Sequence, residues 1–352
     1  MDASLSRAPR TRTRAVASHP DTAVIGGGSW GTALASHLAR RGVPTVLWAR
    51  EPEVVEGING NRRNPLFLAD VELPASLRAT RDLEEALSSV ALVVSSIPTQ
   101  FIRATVRPVA GGFAGVEAVV SVSKGIEVES LQVPTQILGS LLPGSVHLIA
   151  LSGPSFAEEV AAGQPTAVVA AGSDAATVRW VQSVFSNDRF RVYGSDDAIS
   201  VELGGALKNV IAIATGIVDG LGLGRNARAA LITRGLAEMT RLGVARGGNP
   251  LTFSGLSGIG DLVLTCTGDL SRNRRVGLEL GSGKPIDAIL AGMSQVAEGV
   301  KTTLAARRLA VAAGVDMPIT DQVYQVIYEG KEPRRSVMEL MGRDLKDERE
   351  LS

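Results

Sequence analysis

Short, nearly continuous apolar runs recur through the first 195 residues of the chain, and valine is frequent in them. Runs without polar alternation are typical of parallel strands that helices cover on both faces. A helical pattern follows the first run and ends at Gly42, a residue suited to a helix C-terminus. We predict strands at residues 22–26, 44–50, 91–98, 117–125 and 147–153, and two more at 166–173 and 190–195 that extend the sheet.

From about residue 196 the pattern changes to helix-length segments separated by glycine and proline, and strand-like runs no longer occur. We predict helices within residues 199–220, 226–248, 272–283 and 300–315. The chain is therefore predicted to contain an α/β domain at 21–195 and an all-α domain at 196–352. Residues 1–20 contain four arginines and no apolar core, so we expect a disordered tail there; an organelle transit peptide is the alternative.

One lysine interrupts the most apolar of the predicted helices. On a helical period, Lys208 shares its stripe with Gly204, Gly205, Ile211 and Ala212, and none of these residues is polar. A glycine inside a helix costs about 1 kcal/mol relative to alanine. Both the glycines and the cation therefore call for a functional reason.

Composition narrows the functional classes. The chain has 352 residues, 45% of them hydrophobic, and a formal net charge of zero, which argues against bulk binding to nucleic acid or to a membrane surface. No apolar run reaches the roughly 20 residues of a membrane span without a break, so we predict no integral membrane segment. The single cysteine, Cys266, excludes an internal disulfide and fits a cytoplasmic location. It is predicted to be a buried or bystander thiol, with a catalytic thiol as the alternative. We predict no metal site.

The first predicted strand runs directly into the sequence GGGSWG, residues 26–31, and a helix follows. This arrangement matches the G-x-G-x-x-G motif of a dinucleotide-binding βαβ unit. Gly26 would make the tight turn, Gly28 would admit the pyrophosphate, and Gly31 would pack the helix against the strand. The fold class predicted is therefore a Rossmann-type α/β domain with a mostly parallel sheet, followed by an all-α C-terminal domain. A purely structural glycine turn is the alternative.

Arg50 ends the second predicted strand, where an NAD-specific enzyme usually has an acidic residue; here Glu51 comes one position later. An arginine at this position can pair with the 2′-phosphate of NADP. We therefore predict that NADP(H) is accepted, with NAD as the other possible cofactor. Alternatively, Arg50 only stacks on the adenine.

Two further strand ends carry polar groups. Lys124 ends the predicted strand 117–125, and the turn LSGPSF after the strand 147–153 offers Gly153 and Ser155. Ligands of open α/β sheets bind beyond the carboxyl ends of strands, so these groups are predicted to face the crevice of the glycine turn. A solvated lysine is the alternative for Lys124.

Residues 255–275 form the densest polar segment. Asp261 follows a glycine-rich turn, and Ser271 is a good N-cap for a helix that starts at Arg272. A helix start that carries serine, arginine and asparagine side chains suits a phosphate dianion, which suggests a phosphate site at Ser271, Arg272 and Asn273. A solvated basic helix start is the alternative.

Eight blocks in fixed order give the chain a close resemblance to the bacterial-type NAD(P)-dependent glycerol-3-phosphate dehydrogenases. They are GGGSWGTALA, SKG, SGPSFAEE, LGGALKNVIAIATG, NARAALITRGLAEM, GDLVLTCT, SRNRR and VAEG. The resemblance runs from about residue 22 to the end. It implies reversible reduction of dihydroxyacetone phosphate to sn-glycerol 3-phosphate for phospholipid synthesis, by a cytoplasmic homodimer.

The resemblance also implies roles for individual residues. It places the proton acceptor at Lys208. The implied substrate contacts are Lys124, Gly153, Ser155, Asp261, Ser271, Arg272 and Asn273. The implied cofactor contacts are Ser29, Trp30, Arg50, Lys124, Ala157, Arg272, Val296 and Glu298. Glu298 has a plainer alternative, because an acidic residue at a helix start is favoured by the helix dipole.

The residues themselves suggest how Lys208 could work. Burial should lower its pKa, by up to about 3–5 units at full burial, and we expect Lys124 and Arg272 to lower it further while Asp261 opposes them. Gly204 and Gly205 are expected to leave room for the substrate. Two other functions remain open: a β-hydroxyacid or 6-phosphogluconate type dehydrogenase, and a non-catalytic NADP(H)-sensing protein.

Overall fold

The computed structural model describes residues 21–293, 296–345 and 347. The predicted tail at residues 1–20 lies outside the described residues. Within the described part, all strands precede residue 196, and helices make up the ordered elements that follow.

Eight strands form one sheet. They are β1 (Thr22–Ile25), β2 (Thr45–Trp48), β3 (Arg78–Thr80), β4 (Leu92–Ser95), β5 (Ala118–Ser121), β6 (His147–Ser152), β7 (Thr166–Ala171) and β8 (Phe190–Ser195). Their order is β3-β2-β1-β4-β5-β6-β7-β8, and all neighbours are parallel except β6 and β7. The predicted mostly parallel sheet, extended by extra strands, is confirmed.

The seven predicted strands are all present, and β3 is the one that the apolar pattern missed. It is a three-residue edge strand, Arg78-Ala79-Thr80, paired only with β2. Three residues, two of them polar, are too few to form a continuous apolar run. Its contribution is to complete the sheet beside the end of β2, where Arg50 lies.

Seven α-helices accompany the strands. They are α1 (Ser29–Arg40), α2 (Pro52–Asn61), α3 (Leu83–Leu87), α4 (Ile102–Val106), α5 (Pro134–Gly139), α6 (Ala157–Ala161) and α7 (Ala175–Phe185). Side chains alternate between the two faces of the central strands, so Val24 joins one hydrophobic core while Ala23 and Ile25 join another. Both faces of the sheet are therefore covered at its centre, which explains why β1, β4 and β5 are apolar without alternation.

Nine α-helices follow the sheet in the described residues. They are α8 (Ala198–Gly220), α9 (Gly224–Ala245), α10 (Pro250–Phe253), α11 (Asp261–Thr267), α12 (Arg272–Gly281), α13 (Ile286–Ala291), α14 (Glu298–Ala313), α15 (Pro318–Tyr328) and α16 (Pro333–Met341). Strand β8 ends at Ser195 and α8 begins at Ala198, on either side of the domain boundary proposed at residue 196. The predicted all-α second part is confirmed as a fold class.

The helix α8 is the centre of the helical part. Every residue from Ser200 to Val218 is buried, which accounts for its lack of a polar face. By length and hydropathy α8 is the one described helix that could cross a membrane, but its most apolar window is wholly buried inside the protein. It is a core helix, and Lys208 lies near its middle.

Candidate functional site

The glycine turn after β1 has the geometry that the motif predicts. Gly26 has a φ of +122°, and a β-carbon on Gly31 would lie 1.9 Å from the carbonyl oxygen of Gly26. Gly28 is the N-cap of α1; no side chain caps this helix, and no atom lies within 4 Å of where a β-carbon of Gly28 would be. The open space and the uncapped helix N-terminus fit the pyrophosphate of a dinucleotide.

The neighbouring predicted cofactor contacts have distinct surroundings. The Ser29 hydroxyl donates to the carbonyl oxygen of Phe67 at 2.7 Å, and Trp30 packs partly buried against the α/β core. The guanidinium of Arg50 is exposed and contacts Glu51 at 2.9 Å. Arg50 thus extends from the end of β2 into solvent, where a 2′-phosphate could replace Glu51 as its partner.

A buried carboxylate joins the two lysines that the sequence analysis singled out. One oxygen of Asp261 accepts from Lys208 at 2.6 Å, and the other accepts from Lys124 at 2.7 Å. Asp261 is 1% exposed, and the side chains of Lys208 and Lys124 are 8% and 16% exposed. The three residues come from α11, α8 and the segment after β5, so the tertiary fold alone brings them together.

Thr265 completes this cluster, and the sequence analysis did not identify it. Its hydroxyl oxygen accepts from the Lys208 ammonium at 2.7 Å. Thr265 lies four residues after Asp261 on α11, so the two side chains share one helix face. That spacing was the only available signal, and it is common enough in helices to carry little information.

The environment of Lys208 favours reversible loss of its proton. Burial lowers the pKa of Lys208 to about 8; the negative charge of Asp261 opposes this shift, and the positive charge of Lys124 adds to it. Although burial would raise the pKa of Asp261, the two lysines hold it below its usual range. Asp261 therefore stays ionised while Lys208 can titrate near neutral pH.

Two expectations about the surroundings of Lys208 are wrong. Arg272 is not among the main charges acting on Lys208, and its guanidinium donates to the carbonyl oxygen of Val296 at 3.1 Å. Gly204 and Gly205 do not leave space for a substrate. A β-carbon on Gly204 would lie 2.5 Å from the carbonyl oxygen of Ser257, and one on Gly205 would lie 2.7 Å from the Ser152 hydroxyl. These glycines allow close packing of α8.

The turn after β6 lies against Lys124, as predicted. Gly153 has a φ of +150°, and its carbonyl oxygen accepts from the Lys124 ammonium at 3.2 Å. The Ser155 hydroxyl donates to the same oxygen at 2.9 Å, and Ala157 begins α6 just beyond. Gly153 and Ser155 thus belong to the same cluster as the two lysines.

The three residues proposed to bind the phosphate differ in the exposure and hydrogen bonding of their side chains. Ser271 is the N-cap of α12, as predicted, and its hydroxyl oxygen accepts from the backbone N–H of Arg274. The buried Asn273 amide donates to Asn209 at 2.9 Å and accepts from the backbone N–H of Gly299 at 3.0 Å. Only Arg272 extends an exposed side chain, so it is the best placed of the three for a phosphate.

Glu298 links the helical part to the sheet. Its carboxylate, at the first residue of α14, accepts from the backbone N–H of Thr99 at 3.0 Å. Thr99 begins a short 3-10 helix (Thr99–Phe101) after β4, and Ser96, between β4 and this helix, lies close to the glycine turn at Gly26. Burial raises the pKa of Glu298. Arg272, which contacts Val296, is its charged neighbour. Glu298 therefore lies near the end of the sheet that carries the glycine turn.

Cys266 is buried, as predicted. Burial raises the pKa of its thiol to about 12, so the thiolate is not available near neutral pH. A nucleophilic role for Cys266 is therefore not supported.

Comparison with known proteins covers both parts of the chain. Family models described as the N-terminus and the C-terminus of NAD-dependent glycerol-3-phosphate dehydrogenase match residues 21–178 and 197–338. A curated protein of Citrifermentans bemidjiense, named glycerol-3-phosphate dehydrogenase (NAD(P)+), is 54% identical over 328 residues, which are 93% of this chain and 98% of that protein. One of the same name from Geobacter metallireducens is 55% identical with the same coverage. The crystal structure of glycerol-3-phosphate dehydrogenase from Coxiella burnetii has a TM-score of 0.89 and 39% identity, over 92% of this chain and 99% of that one.

Proposed function

The chain belongs to the NAD-dependent glycerol-3-phosphate dehydrogenase family, and we propose that Lys208 exchanges the proton in its reaction. The enzyme is an oxidoreductase that interconverts dihydroxyacetone phosphate and sn-glycerol 3-phosphate with NAD or NADP, which supplies glycerophospholipid synthesis. The hydroxyacid-dehydrogenase and sensor alternatives are not favoured. The observation that carries the proposal is the buried Lys208 ammonium, held by Asp261 and Thr265 with a pKa of about 8.

The residues of the cluster have different roles in the reaction, according to their positions. When bound, the nicotinamide supplies hydride to C2 of the substrate or accepts it. As C2 is reduced its oxygen gains negative charge, and the Lys208 ammonium provides the proton; in the opposite direction the neutral amine accepts it. Asp261 orients Lys208 and Lys124, and the mostly buried surroundings keep water away from the amine.

The proposed reaction is tested by following the absorbance of the reduced nicotinamide with dihydroxyacetone phosphate, using NADH and NADPH in turn. Oxidation of either coenzyme that depends on the triose phosphate supports the proposal. Turnover with a hydroxy- or ketoacid substrate, and none with the triose phosphate, would contradict it.

We expect Arg50→Ala to reduce the use of NADPH relative to NADH. Loss of a charge-assisted contact to the 2′-phosphate costs about 1.5–3 kcal/mol, so kcat/KM for NADPH should fall about tenfold or more while that for NADH changes little. Arg62→Ala serves as the control, because Arg62 is an exposed arginine paired with Glu72. If kcat/KM falls equally for both coenzymes, Arg50 contacts the adenine rather than the 2′-phosphate.

Arg272→Ala is expected to raise KM for dihydroxyacetone phosphate about tenfold or more, because a phosphate would lose its charged partner. Some loss of NADPH affinity is expected as well, since Arg272 lies beside Val296 and Glu298. Arg275→Ala is the matched control, because Arg275 is exposed on the same helix and paired with Glu279. An unchanged KM in the Arg272 variant would remove Arg272 from the phosphate site.

A cytoplasmic homodimer is part of the same proposal. The single buried cysteine is compatible with a reducing compartment, and the homodimer follows from the family resemblance. Light scattering on the purified protein measures its mass directly, and a monomeric mass of 36.6 kDa would contradict the dimer.

A further inference from the structure

A second buried carboxylate lies on the helix that carries Lys208. Glu202 is six residues before Lys208 on α8, about 9 Å along the helix axis, and is 5% exposed. Burial raises the pKa of Glu202 to about 7. The proposed reaction gives this residue no role, and no basic side chain forms a salt bridge with it in the part of the chain that the structure describes.

The partners of Glu202 lie on the α/β side. Its carboxylate accepts from the backbone N–H of Thr135 at 2.8 Å and also from the Thr135 hydroxyl. Thr135 is the second residue of α5, where the backbone N–H has no partner within its own helix. Glu202 therefore caps a helix of the α/β part from the core helix of the helical part.

The segment that ends at Thr135 begins at Lys124. Between them, Ile126 and Val133 are buried in the hydrophobic core of the helical part, together with α8 residues such as Leu207. The same two pieces of chain, α8 and residues 124–135, thus meet at two polar points. One is the cluster in which Lys208 and Lys124 share Asp261, and the other is the pair of Glu202 with Thr135.

We propose that Glu202 is a positioning residue, which fixes α8 against the segment 124–135 so that Lys208 and Lys124 bind the same carboxylate. Two polar contacts separated along one helix prevent it from sliding or rotating against its neighbour, which a single contact does not. Displacement of a catalytic group by about 1 Å can cost as much as hundredfold in rate. This inference rests on the proposed role of Lys208.

The chain offers a matched control in Glu238. Glu238 is likewise a buried glutamate with a pKa raised to about 7 by burial, and it likewise caps a helix, α15, through the backbone N–H groups of Ile319 and Thr320. It lies on α9 and both partners belong to the helical part. Replacement of Glu238 therefore reports the general cost of losing a buried capping carboxylate.

The experiment compares Glu202→Met and Glu202→Gln with Glu238→Met, using the purified full chain, dihydroxyacetone phosphate and the preferred coenzyme. Methionine keeps most of the side-chain volume and cannot cap the helix, whereas glutamine can accept from the Thr135 N–H and donate to its hydroxyl. We expect Glu202→Met to lower kcat about tenfold to hundredfold with little change in KM. Glu202→Gln and Glu238→Met should both keep a kcat near that of the unmodified protein. Should Glu202→Met fail to fold, Thr135→Val takes its place and is expected to lower kcat by a smaller factor.

The results distinguish the positioning role of Glu202 from the proton-transfer role of Lys208. Equal kcat losses in Glu202→Met and Glu238→Met, or unchanged kcat in Glu202→Met or its substitute, would overturn the positioning role. The role of Lys208 is read separately from Lys208→Ala. If that variant keeps normal turnover, the failure belongs to the proposed chemistry and not to Glu202.

Discussion

Lys208→Ala is expected to lower kcat for dihydroxyacetone phosphate by about 10² to 10⁴-fold, the usual contribution of general acid–base catalysis. The variant removes the only amine that contacts both Asp261 and Thr265 in the described residues. Binding of NADPH, measured by its fluorescence, should persist because the glycine turn lies on the α/β side of the crevice. Steady-state kinetics in the reducing direction provide the measurement.

Lys284→Ala is the control for this prediction. Lys284 is an exposed lysine paired with Glu279, and its loss should leave kcat unchanged. Near-normal turnover of Lys208→Ala would refute the role of Lys208 in proton transfer, even if coenzyme binding is intact.

The two directions of the reaction should depend on pH with opposite sign. Reduction needs the protonated Lys208, so its kcat should hold below pH 8 and fall as the pH rises through the pKa of about 8. Oxidation needs the neutral amine, so its kcat should rise through the same range. Profiles that move in the same direction would assign the titration to another group.

Asp261→Asn is expected to have the second largest effect, on stability as well as on rate. The carboxylate is the counter-charge of two mostly buried ammonium groups, and breaking a buried pair of this kind costs about 3–5 kcal/mol in free energy of unfolding. Because Asp261 raises the pKa of Lys208, its loss should lower that pKa further. The alkaline limb of kcat for reduction should therefore move to lower pH.

Denaturant unfolding and the pH profile measure these two effects. Asp269→Asn is the control, since Asp269 is an exposed aspartate paired with Arg274, and surface pairs contribute about 0–1 kcal/mol. A stable Asp261→Asn with an unshifted limb would show that the carboxylate neither balances nor orients the two lysines.

The hydrophobic pattern was sufficient for most of the fold. Apolar runs identified seven strands, most clearly the central strands β1, β4 and β5, which a sheet covered on both faces buries along their whole length. The same rule missed β3, whose three residues lie at the sheet edge. The glycine turn could also be predicted from the sequence. A φ of +122° at Gly26 and the close approach at Gly31 require glycine, so the motif is visible in the sequence.

The site could be predicted only in part from the sequence, because the residues that form it lie far apart in the chain. Lys208, Lys124 and Asp261 were identified singly from their contexts, yet nothing local indicates that two amines share one carboxylate across 137 and 53 residues. Thr265 gave only a weak signal, its four-residue spacing from Asp261, and Glu202 gave none, because a threonine in a helix and a glutamate near a helix start are ordinary in sequence. The function of Gly204 was misread for the same reason, since its neighbour Ser257 is remote in the chain.

The amino-acid sequence by itself determined seven of the eight strands, the change to helices near residue 196, the glycine turn and the family, because these depend on local periodicity, backbone freedom and ordered motifs. Only the tertiary structure decided which charges surround Lys208, which side chains remain exposed, and which carboxylate of α8 caps α5. Those properties depend on burial and on contacts between distant segments. The pKa of an ionisable group shifts because of both, through loss of water and through nearby charges.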